Sequence, residues 1–217
     1  MCATIARIEN AGPGLRARRL IFSDGSPTRT TSAAALKETG IQEGTEITPE
    51  ALESELATIE PPLAKDRALR LLGYREHSSA ELEYKLRDSG YPKPVAASIV
   101  ARFVEVELVD DARFAGAWIR TRHCAGYGAR RIRQELERKG VAPETIDAAF
   151  EESATDGVDE FARASAALGS RQAHDRASRD KLVRRLIGRG FSLTVAIGAV
   201  DASRMGSDEV DTPSDLP

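Results

Sequence analysis

The sequence has little of what most catalytic and metal-binding sites require. Its 217 residues include only two cysteines, Cys2 and Cys124, and three histidines. Two cysteines are too few for a disulfide framework or a cysteine-based zinc site, so we expect reduced thiols. No stretch approaches the roughly 18 apolar residues that cross a bilayer, and the first residues lack the apolar core of a secretory signal. These absences predict a cytoplasmic protein without a membrane segment, a disulfide or a cysteine-bound metal.

Aromatic residues are also scarce, at 5% of the chain, whereas alanine is abundant, with 33 residues, and charged residues make up 30%. This composition is typical of folded, helix-rich protein. The formal net charge of −3 argues weakly against an anionic partner. The charge is uneven, however, because residues 112–140 hold eight basic and two acidic groups, and residues 163–190 again hold eight and two. The average therefore hides two strongly basic stretches.

Arginine dominates these stretches, since the whole chain has 25 arginines and 6 lysines. Guanidinium groups bind phosphate and carboxylate bidentately, but a GC-rich genome also enriches arginine and alanine together. Internal pairs such as Arg131 with Glu135 are a further structural explanation. Against both, Arg130 and Arg131 fall in the predicted first turn of a helix, where the helix dipole disfavours cations, which favours an anionic partner. The predicted partner-binding residues are Arg120, Arg122, Arg130, Arg131, Arg133, Arg179, Lys181, Arg184, Arg185 and Arg189.

A recurrence at a spacing of fifty residues organises most of the chain. Each copy has two apolar residues four apart, then a glycine and another apolar residue, which predicts one amphipathic helix ended by a glycine. The aligned positions are Leu82, Ile132 and Leu182; Leu86, Leu136 and Leu186; Gly90, Gly140 and Gly190; and Tyr91, Val141 and Phe191. The flanks of each copy supply two further helices. A triplet of this size cannot bury its own apolar faces, so we expect neighbouring triplets to stack.

The predicted fold is mainly α: three tandem three-helix repeats in an elongated, curved array, preceded by a small N-terminal β-meander with short helices. Repeat 1 covers residues 64–109, repeat 2 residues 110–157 and repeat 3 residues 158–202. The acidic residues 203–217 lack periodicity and are predicted to be a disordered tail.

The first 60 residues differ from the rest of the chain. Three short strands are predicted at Thr4–Glu9, Leu15–Phe22 and Pro27–Thr31, separated by turn-rich segments. Two short helices follow, one over Ser32–Thr39 and one that begins at Thr48 and Pro49. The second helix is predicted to end before Pro61-Pro62, because proline interrupts the hydrogen bonding of a helix interior.

The sequence contains no persuasive catalytic motif. Asp110 and Asp111 precede a predicted helix, where capping explains paired carboxylates better than metal binding does. The histidines are isolated, and His123 next to Cys124 in sequence does not make a nucleophile and base. Gly126-Tyr127-Gly128 lacks the strand-before-helix context of a phosphate-binding loop and is interpreted as a tight break between helices. We therefore expect no enzyme activity, no cofactor and no metal.

The central repeat resembles the RecX family, the bacterial regulators of the RecA recombinase. The matching residues are Asp110-Asp111-Ala112-Arg113-Phe114-Ala115, Trp118-Ile119, Arg122, Gly126, Gly128, Ile132, Leu136 and Lys139-Gly140-Val141. Ser78–Leu82 with Leu86 and Gly90 is similar to the family's first repeat, and Arg189-Gly190-Phe191 to its third. The resemblance covers about residues 3–202. Lysines are scarcer than in the family pattern, and residues 24–28 fit it loosely.

The resemblance implies a monomeric, non-enzymatic protein that binds RecA and its filament on single-stranded DNA. It would modulate, mainly inhibit, filament assembly, ATP hydrolysis and strand exchange in DNA recombination, repair and the SOS response. The arginine clusters would contact acidic RecA surface, single- or double-stranded DNA, or both. The alternative is a free-standing helical-repeat regulator that grips DNA without RecA, although no single helix-turn-helix with base-reading side chains stands out.

Overall fold

The computed structural model describes residues 3–12, 16–154 and 159–205. It begins with an antiparallel sheet of four strands, β1 (Ala3–Asn10), β2 (Ala17–Phe22), β3 (Arg29–Ser32) and β4 (Glu46–Ile47). The strand order is β3-β2-β1-β4, so the first three strands form the predicted meander and β4 extends it along β1. The two-residue β4 is too short for the sequence pattern to predict.

Two helices cover this sheet and complete its core. Helix α1 (Ala33–Thr39) begins after Ser32, whose side chain accepts a hydrogen bond from the backbone N–H of Ala35. Helix α2 (Pro49–Tyr74) begins after Thr48 in the same way. Ile5, Leu20, Leu52 and Leu56 are fully buried between sheet and helices because strand alternation and helical spacing turn them to one side.

The predicted end of the second helix at Pro61-Pro62 is wrong, because α2 runs through both prolines to Tyr74. Tertiary packing overrides the local preference. The residues before the prolines pack in the core of the sheet, those after them pack in the next core, and Leu63 contacts both. Glu60 is buried immediately before Pro61 and accepts a hydrogen bond from Thr31 Oγ1 at 2.7 Å. One helix therefore crosses the proposed division between the N-terminal module and repeat 1.

The first helical triplet consists of the second half of α2, α3 (Ser79–Asp88) and α4 (Lys93–Glu105). Ser78 caps α3 by accepting a hydrogen bond from the backbone N–H of Glu81 at 3.1 Å. Leu82, Leu86 and Tyr91 are buried at its centre. These are the positions that the fifty-residue period predicts.

The later triplets repeat the pattern. The second contains α5 (Asp111–Cys124), α6 (Ala129–Arg138) and α7 (Pro143–Ala154), and the third contains α8 (Glu160–Leu168), α9 (Arg176–Gly188) and α10 (Leu193–Met205). Gly90, Gly140 and Gly190 follow α3, α6 and α9 with φ between 75° and 100°, a left-handed conformation that favours glycine. The mainly α fold of three-helix units after a small antiparallel sheet is confirmed.

The chain divides into two compact units, residues 1–111 and 112–217. Helix α10 continues to Met205, so the predicted tail does not begin at Ser203. The rest of that tail, 206–217, lies outside the described residues, as do residues 155–158, where predicted repeats 2 and 3 meet. Within the described ranges no helix has the length and apolar character needed to cross a membrane.

Candidate partner-binding site

The ten predicted cations lie on or next to three helices of the second unit. Arg120 and Arg122 lie on α5; Arg130, Arg131 and Arg133 on α6; Arg179, Lys181, Arg184 and Arg185 on α9; and Arg189 directly follows α9. They fall into two groups by environment. Some are held within the protein by carboxylates, by aromatic rings or, for Arg189, by a backbone carbonyl, and the others project into solvent.

Arg122 is paired with the buried carboxylate of Glu135. Glu135 is only 7% exposed. Arg122 donates two hydrogen bonds to it, at 2.5 and 2.8 Å, Arg131 donates one at 3.2 Å, and Trp118 Nε1 donates another at 3.1 Å. Burial alone would raise the pKa of Glu135, but the hydrogen bonds from both arginines outweigh burial and hold the pKa below its usual value.

The same residues form a stack in which cations and aromatic rings alternate. Lys139 Nζ lies 4.4 Å from the centre of the Trp118 ring, and the guanidinium carbon of Arg122 lies 5.0 Å from the same ring centre. Arg122 also lies 4.9 Å from the Tyr127 ring, against which Arg131 packs at 4.5 Å. Cation–π contacts of this kind stabilise a fold when the ions are partly desolvated. The stack joins α5 to α6, and its members follow one another in the order Lys139, Trp118, Arg122, Tyr127 and Arg131.

Two further predicted residues are paired within the unit. Arg133 forms an ion pair with Asp147 of α7 and lies over the Phe150 ring, at 4.4 Å. Arg179 binds both carboxylate oxygens of Asp201, at 2.6 and 2.8 Å, and so joins α9 to α10. These pairs hold neighbouring helices together.

The start of α6 and the end of α9 meet at two glycines. The backbone N–H of Gly128 donates to the carbonyl of Arg189 at 2.9 Å, and that of Arg130 donates to the carbonyl of Gly190 at 3.1 Å. A Cβ on Gly128 would lie 2.5 Å from the Gly190 carbonyl carbon, and one on Gly190 would overlap Arg131. The tight break predicted at residues 126–128 therefore leads directly into the contact between the start of α6 and the end of α9.

A groove of about 470 Å³ opens beside this contact. Three arginines line one side, and the end of α9 lines the other. The lining residues are Arg130, Arg131, Gln134, Arg138, Ile187, Gly188 and Gly190. Arg131 donates to the carbonyl of Gly188 at 3.4 Å, whereas Arg130 and Arg138 are exposed and form no ion pair among the described residues. The guanidinium groups of Arg130 and Arg138 are suited to bind an anion in the groove, and Ile187 offers it an apolar contact.

The exposed face of α9 continues this positive surface. Lys181, Arg184 and Arg185 are exposed and have no carboxylate partner within the described ranges. We call the five exposed cations, Arg130, Arg138, Lys181, Arg184 and Arg185, the cationic surface. Arg138 was not among the predicted partner-binding residues. It follows Arg130 by eight residues, about two helical turns along the same face, and this spacing could have identified it.

Arg120 and Arg189 do not belong to the cationic surface. Arg120 is exposed on α5. Arg189 donates to the carbonyl of Gly126 at 3.4 Å and lines a different cavity, together with His123, Cys124 and Arg163. Burial, and to a lesser degree the charge of Arg163, lowers the pKa of His123 to about 4.

The other residues considered for chemistry have structural partners. The Asp111 carboxylate accepts hydrogen bonds from the backbone N–H of Ser79 at 2.8 Å and from its hydroxyl at 2.6 Å, so it caps the start of α3. His123 packs edge-on against Phe150, with ring centres 6.2 Å apart. In the part of the chain that the structure describes, no cluster of three potential metal ligands occurs.

The fold and this site define a tandem three-helix protein with a cationic groove. Family models agree: RecX, first three-helix domain, matches residues 64–103, and RecX, second three-helix domain, matches residues 110–149. Regulatory protein RecX of Mycolicibacterium vanbaalenii is 36% identical over 162 residues, which cover 69% of this chain and 87% of that protein. The one from Mycobacterium sp. (strain JLS) is 38% identical over 156 residues, covering 65% and 81%. The chain therefore belongs to the RecX family of regulatory proteins.

A solved structure supports the same fold. The crystal structure of a regulatory protein RecX superposes with a TM-score of 0.59 and covers 92% of this chain and 99% of that chain, at 23% identity. The resemblance carried by residues 110–141 is thus confirmed. The relatives are named as regulatory proteins, in agreement with a non-enzymatic role.

Proposed function

We propose that this chain binds RecA and the RecA filament on single-stranded DNA, and that it inhibits filament assembly, ATP hydrolysis and strand exchange. Membership of the RecX family carries this proposal, since the family's regulatory role is towards RecA. Binding would place the protein in DNA recombination and repair in the cytoplasm.

The cationic surface is the contact region within this proposal. Arg130 and Arg138 flank the groove, and Lys181, Arg184 and Arg185 extend it along α9. Acidic side chains of RecA and DNA phosphates are both suitable partners, because guanidinium groups bind either anion bidentately. Several weak contacts along a filament would reinforce one another if the repeats touch more than one subunit.

The paired arginines have a different role in this proposal. Arg122, Arg133 and Arg179 hold their helices through Glu135, Asp147 and Asp201. Arg131 contributes partly to both roles, since it binds Glu135 and lines the groove. We expect substitutions of the paired arginines to reduce stability first, and substitutions of the cationic surface to reduce binding without unfolding the protein.

A charge-reversal variant tests the proposal. Arg130, Arg138, Arg184 and Arg185 are changed together to Glu, and binding to bare single-stranded DNA, duplex DNA and RecA-coated single-stranded DNA is compared at physiological salt, with RecA ATP turnover measured in the same samples. The matched control reverses four exposed cations of the first unit: Lys37, Lys65, Arg70 and Lys93. Circular dichroism verifies that both variants are folded.

We expect the wild-type chain to prefer RecA-coated DNA and to slow ATP turnover. The charge-reversal variant should lose at least tenfold in affinity for RecA-coated DNA, whereas the control variant should keep the wild-type affinity. Binding of bare duplex in preference to coated strands, with no effect on turnover, would contradict the proposal and favour the free-standing DNA-binding regulator. Inhibition that survives the groove substitutions would exclude the cationic surface as the contact region.

A further inference from the structure

The cationic surface forms a track that leads along α9 into the groove. Lys181, Arg184, Arg185 and Gly188 share one helix face, because residues spaced by three, four and seven positions lie on one side of an α-helix. Gly188 lines the groove opposite Arg130 and Arg138. The track therefore holds five exposed cations without a carboxylate partner among the described residues, and their mutual repulsion favours an anionic occupant.

The chain itself carries a segment of the complementary charge. Residues 206–217, Gly-Ser-Asp-Glu-Val-Asp-Thr-Pro-Ser-Asp-Leu-Pro, contain four carboxylates and no basic residue. The acidic residues are Asp208, Glu209, Asp211 and Asp215. The segment also holds Val210 and Leu216, and the groove offers one apolar side chain, Ile187, which is 37% exposed. Charge and apolar character thus match on both sides.

The segment starts within reach of the track. The ion pair between Arg179 and Asp201 places Asp201 beside the first turn of α9, and α10 continues one further turn, about 6 Å, to Met205. Gly188 lies nine residues beyond Arg179, or about 14 Å along the helix. Because four residues join the end of α9 to the start of α10, the last turn of α10 leads away from Gly188, and the segment must cover about 20 Å along α9. An extended chain spans about 3.3 Å per residue, so the ten residues 206–215 cover about 33 Å. Asp208 can therefore reach Lys181, and Asp215 can reach the groove.

We propose that residues 206–217 bind along this track and occupy the groove as an intramolecular competitor of the anionic partner. The competition rests on the proposed function, whereas the contact between segment and groove does not. A short tether gives the segment an effective concentration in the millimolar range, so even a weak contact reduces the apparent affinity for a partner. The segment thus sets a threshold that only a multivalent anionic surface overcomes.

Nuclear magnetic resonance tests the contact directly on the full-length chain. The variant carries Asp208→Asn, Glu209→Gln, Asp211→Asn and Asp215→Asn, and its amide spectrum is compared with that of the wild type at low salt. We expect chemical-shift differences at Ile187, Gly188 and Gly190 that vanish at high salt, because screening weakens exposed ion pairs. Identical shifts at these three amides in the two chains would overturn the proposal.

A matched variant controls for net charge. It neutralises Glu38, Glu50, Asp66 and Glu151, which are exposed residues outside the track, and should leave the three amide shifts unchanged. If it shifts them as much as the tail variant does, a general change in field explains the result and the proposed contact is wrong.

Competition is measured separately, with a single-stranded oligothymidylate as the probe. We expect the tail variant to bind the probe roughly tenfold more tightly than the wild type at low salt, and the control variant to bind it equally well. Equal affinity of all three chains would overturn the competition. Neither the NMR experiment nor the oligothymidylate assay contains RecA. Both can therefore be interpreted even if the chain does not bind RecA, and a negative result in either one does not affect the RecA assay.

Discussion

Glu135 joins two helices of the second unit. Its buried carboxylate accepts from Arg122, Arg131 and Trp118, and the Arg122 side chain above it is 28% exposed. The amphipathic pattern of α6 predicts only the pair with Arg131 four residues earlier. The contacts with α5 depend on how two helices pack, which residue spacing within one helix does not reveal.

The first prediction concerns the loss of this carboxylate. Glu135→Ala should lower the free energy of unfolding by about 2 to 4 kcal/mol, because Arg122 and Trp118 lose their acceptor and partial exposure of Arg122 moderates the cost. Urea unfolding followed by the fluorescence of Trp118, the chain's single tryptophan, measures the change. Glu137→Ala, an exposed site on the same helix, should stay within about 0.5 kcal/mol of wild type. Equal effects of the two substitutions would contradict the role of the network.

His123 gives a second prediction at the residue scale. The folded chain keeps this imidazole neutral down to its pKa of about 4, whereas an unfolded histidine takes up a proton near its ordinary pKa of 6.5. The unfolded state therefore binds the proton first as pH falls. The contribution of neutral His123 to stability is complete above pH 6.5 and is lost progressively as pH falls towards 4. Urea unfolding should show up to about 2 kcal/mol less stability at pH 5 than at pH 7.

Substitution separates His123 from the other histidines. His123→Gln should remove most of the decrease between pH 7 and pH 5, and His174→Gln, an exposed control, should retain it. If the His123 variant keeps the wild-type pH dependence, this imidazole is not its source.

At the scale of elements, α2 shows where local preference and tertiary packing conflict. A helix interior disfavours proline because proline has no N–H and its ring crowds the preceding turn. Pro61 and Pro62 nevertheless lie within 26 helical residues, held by the buried Leu56 and Glu60 on one side and Ala64 on the other.

Restoring the missing hydrogen-bond donor should therefore stabilise the first unit. We expect Pro62→Ala to raise its free energy of unfolding by about 1 to 3 kcal/mol, because alanine is the better helix former by about 3 kcal/mol and Pro62 is exposed. Denaturant unfolding followed by circular dichroism measures the gain. Pro94→Ala serves as the control, since a proline in the first turn of α4 lacks no intrahelical bond. If Pro62→Ala instead lowers the free energy of unfolding, the contacts of the proline ring stabilise the fold by more than the missing hydrogen bond costs.

The starts of three helices could be predicted from capping residues. Thr48, Ser78 and Ser192 accept hydrogen bonds from the starts of their helices, as their positions before apolar periodic stretches indicate. The continuity of α2 and the groove could not be predicted in this way. Both depend on contacts between residues far apart in sequence, such as Gly128 with Gly190, which no local pattern records.

At the scale of the whole molecule, the net charge of −3 conceals a separation of charge. The cationic surface gathers five exposed cations of α6 and α9, whereas residues 1–63 hold nine acidic and six basic groups, and residues 206–217 hold four acidic groups and no basic one. Function is therefore better judged from the local field of this surface than from the net charge.

This separation predicts a marked salt dependence. Affinity for single-stranded oligothymidylate should fall on the order of 10- to 100-fold between 50 and 200 mM salt, since each neutralised phosphate releases counterions. Titrations at several salt concentrations give the slope. Arg130→Glu with Arg138→Glu should flatten that slope, whereas Lys65→Glu with Arg70→Glu on α2 should not change it. An affinity that is independent of salt would show that ion pairing does not drive binding.

The contact between Gly128 and Gly190 also has a consequence for the order of events during synthesis. The start of α6 receives two carbonyl partners that are made about 60 residues later in the chain. At synthesis rates of about 5 to 20 residues per second, α6 exists for roughly 3 to 12 seconds before Gly190 emerges. A nascent chain that ends within α7 thus contains Arg130 and Arg138 but no groove, so the partner-binding surface becomes complete only when the last repeat has been translated.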